Sequence, residues 1–377
     1  MVQSLPTGKE ALVKALKYAQ TPEVWDTNPI TITEANANSL PVKVAALDSR
    51  LTYLNVNSVE KATIPGYVKG LSTDFGNGGR NIEQANVLSV DFIFSGKQFD
   101  FLLYDTGSSV TQLNMYVEVD GKLTSADGFA TSAGGAKEHT INVNFASNAI
   151  NRHVKLIFSG FRSFGGLLTE RGATIAPYVT ENKSKVVVFG DSYTAGTGAS
   201  NEFVNFYAYE LGKMMGWNNT IISGVGGTGY LNAGNNRKTF RQRVNDIISA
   251  NPDAVVIAGG LNDLKIASAK QVGDEASLFF NEIRKALPKC EIIVVSPFWP
   301  KATTYPAAYK DAIRAAMSGI ANAEFIDLGG SFTANTGRTL AVASLVYKDG
   351  MHPSPTGHTV IAEKLSAAIK KTLLNLN

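Results

Sequence analysis

The sequence predicts two fold classes in one chain, an antiparallel β-sandwich followed by an α/β domain built on a parallel sheet. Three observations carry this reading. Residues 87–160 contain five short strand patterns separated by Gly, Ser, Asp and Asn turns. Beyond about residue 180, strand-like runs alternate with helical segments. Between them, Ala176-Pro177-Tyr178 through Asn182-Lys183-Ser184-Lys185 fits neither pattern and marks the boundary. The expected domains are an N-terminal helix and extended segment over 1–30, an accessory sandwich over 31–180 and a catalytic α/β domain over 181–377.

Taken in order, residues 7–19 predict a helix, with Thr7 and Glu10 as a capping box and Leu12, Ala15, Leu16 and Ala19 on one face. Such a helix can dock on the main body or join chains, and both readings stay open. Residues 20–85 read as irregular β structure. Val87–Phe94, Phe99–Tyr104, Met115–Val119, Thr140–Phe145 and Val154–Phe158 show period-two or fully apolar strand patterns, and Asp120-Gly121 is a hairpin signal. Five short strands with frequent turns argue for a sandwich, which either binds sugar or only packs as an accessory module.

In the second half the strand runs fall at 186–189, 220–222, 254–258, 292–295 and 324–327, and the helices near 202–215, 239–249, 274–286, 306–321 and 355–374. Continuous apolar runs such as Val186-Val187-Val188-Phe189 fit parallel strands covered on both faces. Ser354-Pro355 supplies an N-cap and a first-turn proline for the last helix.

Composition limits the function classes. A net charge of +3 without a Lys/Arg cluster argues against a nucleic-acid partner. The single Cys290 excludes an internal disulfide. The four histidines, His139, His153, His352 and His358, are too scattered for a metal set, so no metal or other cofactor is expected. No basic segment followed by an apolar one opens the chain, and no run reaches the ~18 apolar residues of a membrane span. The 18% charged content leans towards a surface or secreted protein, and the lack of a recognisable signal peptide fits a virion-associated protein better than a conventionally secreted one, with a cytoplasmic location left open.

Loops after parallel strands converge on one edge of a sheet, where such folds place their ligands. The first carries Asp191-Ser192, the second Gly224-Val225-Gly226-Gly227-Thr228-Gly229, and the third Gly259-Gly260-Leu261-Asn262-Asp263. Asp349 and His352 precede the last helix. A lone serine at a strand end caps the next helix in the ordinary case, but together these residues offer a nucleophile, a base, an orienter and oxyanion donors. Gly224-x-Gly226-x-x-Gly229 also fits a dinucleotide pattern, yet it is not the first βα turn and no helix opens after it. Asp263 is read as bracing its loop, His358 as packed, and His139 and His153 as surface or turn residues. Trp217 is read as core, and Trp299 as either a sugar-stacking side chain or loop packing.

Gly190-Asp191-Ser192, Gly227, Gly260-Leu261-Asn262-Asp263 and Asp349-x-x-His352 resemble, in order, the four blocks of the SGNH (GDSL-type) hydrolases. The resemblance covers about 180–377 and implies a flavodoxin-like three-layer fold. It implies Ser192 as nucleophile, His352 as base, Asp349 as orienter, and an oxyanion hole from the backbone N–H groups of Ser192 and Gly227 with the Asn262 side chain. Gly226, adjacent, is the alternative donor, and Tyr193, followed by Thr194, stands where many members carry leucine after the G-D-S. Tyr193 and Trp299 are the expected substrate contacts.

A sandwich ahead of such a domain resembles family-two carbohydrate esterases and phage-tail deacetylases. That layout implies a serine esterase removing O-acetyl groups from a polysaccharide, with a homo-oligomer or virion assembly left open. A lipolytic enzyme with Phe298, Trp299 and Tyr305 along an acyl groove is one alternative. A non-catalytic sugar-binding adhesin is the other.

Overall fold

The computed structural model describes residues 8–21, 23–24, 30–35, 40–74, 83–84, 86–105, 114–132, 136–159, 161–199, 204–299, 307–328 and 342–375. Contacts divide the chain into two units, one of residues 22–71 and 84–181, the other of residues 1–21, 72–83 and 182–377. The inclusion of 1–21 and 72–83 in the second unit is a discontinuity that single cuts along the chain do not describe.

The first unit is the antiparallel sandwich. Its frame is two long strands, Val87–Asp105 and Lys137–Ser159, paired from Val87 opposite Ser159 to Asp105 opposite Lys137. The sequence patterns suggested four strands here, and the structure joins them in pairs. Core residues are even-numbered at Val90, Phe92 and Phe94 but odd-numbered at Phe99, Phe101 and Leu103. Because a strand alternates faces with period two, that change of parity requires a bend or bulge if both halves are to face one core. Gly96 lies at the change with φ +154°, and a Cβ there would sit 2.8 Å from both the Ala173 Cβ and the Phe94 ring. The partner strand shifts register between Asn144, Ala149 and Arg152. Asp120 (φ 49°) and Gly121 (φ 84°) take the left-handed conformations of a tight hairpin turn into Lys122–Leu123.

His139 and His153 are strand residues, not surface or turn residues. His139 is 2% exposed with Nδ1 2.6 Å from Glu34 Oε1. His153 has Nε2 2.9 Å from Asp91 Oδ2 and stacks on Tyr178 with ring centroids 3.6 Å apart. In both cases a carboxylate satisfies the ring.

The second unit is an α/β fold on a five-stranded parallel sheet. Across the sheet run Asn219–Gly224, Lys185–Gly190, Ala254–Ala258, Glu291–Val295 and Ala323–Ile326. In chain order this is 2-1-3-4-5, the flavodoxin-like arrangement. Val187, Phe189, Val255, Ile257, Ile292 and Val294 face one layer with Phe279, Phe280, Ile283 and Ile313. The alternate residues Val186, Val188 and Val256 are equally buried, as a sheet covered on both faces requires. The helix Ala269–Ala286 packs with Ala307–Ala315, and Tyr207–Met215 with Pro355–Leu373.

The N-terminal helix Gly8–Ala15 docks within this unit. Leu12 and Ala15 are buried, and the Gly8 and Lys9 N–H groups donate to Lys289 O and Glu291 Oε1, each at 3.2 Å. Thr7, and with it the expected capping box, lies outside the described residues. Thr73–Asp74, between the two stretches of the first unit, reaches the sheet, its Thr73 hydroxyl donating to Ile222 O at 3.3 Å and its Asp74 N–H to Asp246 Oδ1 at 3.1 Å.

Beneath the end of the first strand lies Arg243, fully buried. Its Nη2 donates to Gly190 O at 2.9 Å and its Nη1 to Ser223 Oγ at 3.0 Å, and Asp246 Oδ2 lies 3.4 Å away. The guanidinium also covers the Phe189 ring, 4.3 Å from its centroid. Arg243→Ala leaves Asp246 buried without its counter-charge, so the unfolding free energy is expected to fall by about 3–5 kcal/mol in urea titration. A loss under about 1 kcal/mol would show that the network is not needed to hold the strand ends.

Candidate active site

Gly190 ends the strand that lies between the second and third strands, so its loop opens at the place where connections leave in opposite directions. No side chain fits at Gly190. A Cβ there would be 2.2 Å from Thr194 Oγ1 and 2.3 Å from Ala258 O. The chain then turns tightly, with Ala195 N–H donating to Asp191 O at 3.0 Å and Thr197 N–H to Ser192 O at 3.0 Å.

The structure brings the serine, histidine and aspartate together across 160 residues of chain. Ser192 Oγ lies 2.9 Å from His352 Nε2, and His352 Nδ1 lies 2.6 Å from Asp349 Oδ2. The other Asp349 oxygen accepts the backbone N–H groups of Met351 (2.9 Å) and His352 (3.0 Å). One carboxylate therefore both shapes the turn and orients the ring. Since Asp349 accepts only, the Nδ1 hydrogen points to it and Nε2 is left to accept from the serine. Burial alone would raise the Asp349 pKa, but the His352 ring and the two N–H groups outweigh it and hold it at about 2.

Three further side chains fix the loops. Tyr193, read from the sequence as a substrate contact, is 1% exposed and stacks on Phe298 with centroids 5.2 Å apart. Its hydroxyl donates to Met351 O, so it ties the serine loop to the histidine loop instead. His358 accepts the Tyr207 N–H at Nδ1 (3.3 Å) and donates from Nε2 to Thr197 O (3.1 Å). Burial lowers its pKa to about 4, which keeps it neutral in that role. Asp263 accepts the backbone N–H groups of Tyr230, Leu231 and Asn232 at 2.8–2.9 Å, bracing the Gly-rich second loop from the third.

Gly226, Gly227 and Asn262 line the same cavity as Ser192, His352 and Trp299, a space of about 700 Å³. Gly227 has φ +74°, a conformation that favours glycine, and the Gly226 carbonyl accepts from Arg237. Asn262 Nδ2 donates to Thr228 O at 2.9 Å and lies 3.4 Å from Asp191 Oδ2. Arg237, Lys265 and Asn232, which the motif reading passed over, also line the cavity. Lone charged or amide residues in a loop carry no spacing that would single them out. Phe298 is 3% exposed against Tyr193 and Tyr207, and Tyr305 lies outside the described residues, so of the three expected groove aromatics Trp299 lines the space. Trp217 is buried, as expected of a core residue. Among the described residues no group of three His, Cys, Asp or Glu could hold a metal ion, and no helix is long and apolar enough to cross a membrane.

Asp191 is the other buried carboxylate at the turn. Burial raises its pKa to about 7, with nearby Asp263 adding to the rise while the Tyr193 N–H and Arg243 oppose it. The folded chain thus holds a proton that the unfolded chain releases, so this group's contribution to stability falls as pH rises from 3.8 to about 7. Asp191→Asn is expected to flatten that part of the stability–pH curve, as followed by thermal unfolding. An unchanged slope would place the titration elsewhere.

Residues 188–360 match the model of the GDSL-like lipase/acylhydrolase family. The GDSL lipase Rv0518 of Mycobacterium tuberculosis is 23% identical over 197 residues, covering 50% of this chain and 83% of that protein. Among solved structures, an active-site mutant of a family two carbohydrate esterase from Clostridium thermocellum superposes with a TM-score of 0.62 at 16% identity, covering 86% of this chain and 98% of that one. A salicylyl-acyltransferase from a tetracycline biosynthetic pathway gives 0.61 at 15% identity, covering 88% and 98%. An acetyl xylan esterase from the rumen bacterium Butyrivibrio proteoclasticus gives 0.56 at 15%, covering 92% and 100%. The Gly190-Asp191-Ser192 turn, the serine–histidine–aspartate chain and the family match agree, and the chain carries a GDSL/SGNH hydrolase domain of the carboxylic ester hydrolase kind.

Proposed function

We propose that this protein is a serine esterase that removes O-acetyl groups from a polysaccharide through an acyl-enzyme intermediate. The observation that carries the chemistry is the continuous hydrogen-bonded chain Ser192–His352–Asp349, whose serine and histidine line an open cavity. The substrate reading is supported by likeness of fold over most of the chain to family two carbohydrate esterases, one of them from Clostridium thermocellum solved in complex with cellohexaose.

In this mechanism His352 Nε2 takes the hydroxyl proton as Ser192 Oγ attacks the acetyl carbonyl. The tetrahedral oxyanion receives hydrogen bonds from the backbone N–H groups of Ser192 and Gly227 and from Asn262 Nδ2. As the intermediate collapses, the imidazolium returns the proton to the departing sugar oxygen, leaving acetyl-Ser192. Water, deprotonated by the same imidazole, attacks the acyl-enzyme and releases acetate. Asp349, ionised throughout, stabilises the imidazolium and fixes its tautomer. Trp299 is the side chain proposed to stack on a sugar ring.

Two measurements test this reading. Ser192→Ala is expected to lower kcat for acetyl ester hydrolysis by about 10⁴- to 10⁶-fold with the fold intact by circular dichroism. A variant retaining activity would remove the nucleophile assignment. Asn262→Ala is expected to cost about 10²- to 10³-fold in kcat with KM nearly unchanged, because the donor acts on the developing oxyanion. Acetate release from O-acetylated polysaccharides, with little activity on long-chain acyl esters, is the expected substrate profile. The reverse profile would make the protein a lipolytic esterase.

A further inference from the structure

Two cations on the cavity wall take no part in the steps above. Arg237 and Lys265 both line the space beside Ser192 and His352, and both are exposed. No aspartate or glutamate lines it among the described residues. Arg237 gives one N–H to the Gly226 carbonyl, which leaves the rest of its five donors for other partners. Nearby cations behave differently. Lys238 pairs with Asp74, Arg241 with Glu275 and Glu282, and Arg243 with Asp246. Arg237 and Lys265 form no such ion pair among the described residues.

A concave wall carrying charge of one sign focuses its field and draws in ligands of the opposite sign. At about 700 Å³ the cavity is far larger than an acetyl ester, so sugars flanking the cleaved group reach its walls. A repeating polyanion would present a charge near each ester. Arginine's planar fork also matches a carboxylate in two-point contact.

We propose that the acetylated polysaccharide is acidic, with sugar carboxylates bound by Arg237 and Lys265 beside the acetyl ester that Ser192 attacks. This rests on the deacetylase reading above and narrows its substrate class.

The test compares three esters with the full chain: O-acetylated polygalacturonate, O-acetylated xylan as a neutral polymer, and p-nitrophenyl acetate. The wild type is expected to prefer the acidic polymer over the neutral one by about tenfold or more in kcat/KM, two rim charge contacts each being worth up to about fivefold. Raising the ionic strength from about 0.05 to 0.5 M should erode that preference, since exposed charges are screened beyond a few ångströms. Arg237→Gln and Lys265→Gln are each expected to lower the acidic-to-neutral ratio, the pair together abolishing it, with Arg237→Lys restoring part of it.

An acidic polymer cleaved no better than xylan, or a preference unmoved by the double variant, overturns the proposal. An equal loss on all three esters with Arg237→Gln also overturns it and leaves Arg237 a brace of the Gly226 carbonyl. Hydrolysis confined to p-nitrophenyl acetate, with no acetate from either polymer, removes the polysaccharide reading itself and this proposal with it.

Discussion

The guanidinium of Arg243 is the interaction on which the arrangement of the hydrolase unit depends. It lies fully buried under the Gly190-Asp191-Ser192 turn and donates to Gly190 at the end of the first strand and to Ser223 near the end of the second. Thr228, in the Gly-rich turn, is also within reach at 3.4 Å. Parallel strands pair through backbone groups and say nothing about how the loops beyond them are held. A buried cation with acceptors on each of those loops supplies that constraint, and Asp246 supplies its counter-charge. The ion pair gains little over an apolar packing of the same volume, but removing one partner strands the other, so the network acts as a geometric commitment.

Around that centre the site is built from side chains that accept or donate to backbone rather than to substrate. Asp263 collects three N–H groups from the second loop. Tyr193 reaches the carbonyl of Met351, and His358 reaches that of Thr197. Each bond joins segments far apart in the chain, and each partner is a main-chain atom whose position does not depend on a rotamer. The Ser192–His352 distance of 2.9 Å is the outcome of these braces, since the serine and the histidine sit on different loops with no direct chain connection. A hydroxyl and an imidazole held in this way have little freedom left to lose, which is where positioning can contribute to rate.

The balance of charge at the site follows the same division of labour. Asp349 is held ionised by donors that converge on it, whereas Asp191, the residue before Ser192, is buried near Asp263 and pushed up to about 7. The two carboxylates are thereby pushed in opposite directions by their surroundings. The outer wall adds positive charge from Arg237 and Lys265 with no carboxylate among the lining residues.

The sequence by itself determined the two fold classes, the strand runs of the parallel sheet, the order of the four motif blocks and the residues of the serine–histidine–aspartate chain. These are local signals: a continuous apolar run marks a doubly covered strand, and a glycine-flanked polar turn marks a strand end. Only the tertiary structure decided what depends on pairing across the chain. The joining of 87–94 with 99–104 into one bent strand follows from register with Lys137–Ser159, and the burial of His139 follows from Glu34 meeting it there. Tyr193 is next to Ser192 in sequence and looks like a substrate contact. Its ring lies under Phe298 and its hydroxyl on Met351 because loops far apart in the chain meet there. Nothing in the sequence singles out Arg243, and its burial becomes visible only once the strand ends close over it. Periodicity reports which face of an element is apolar, whereas the partner of a polar side chain is set by what the fold brings opposite it.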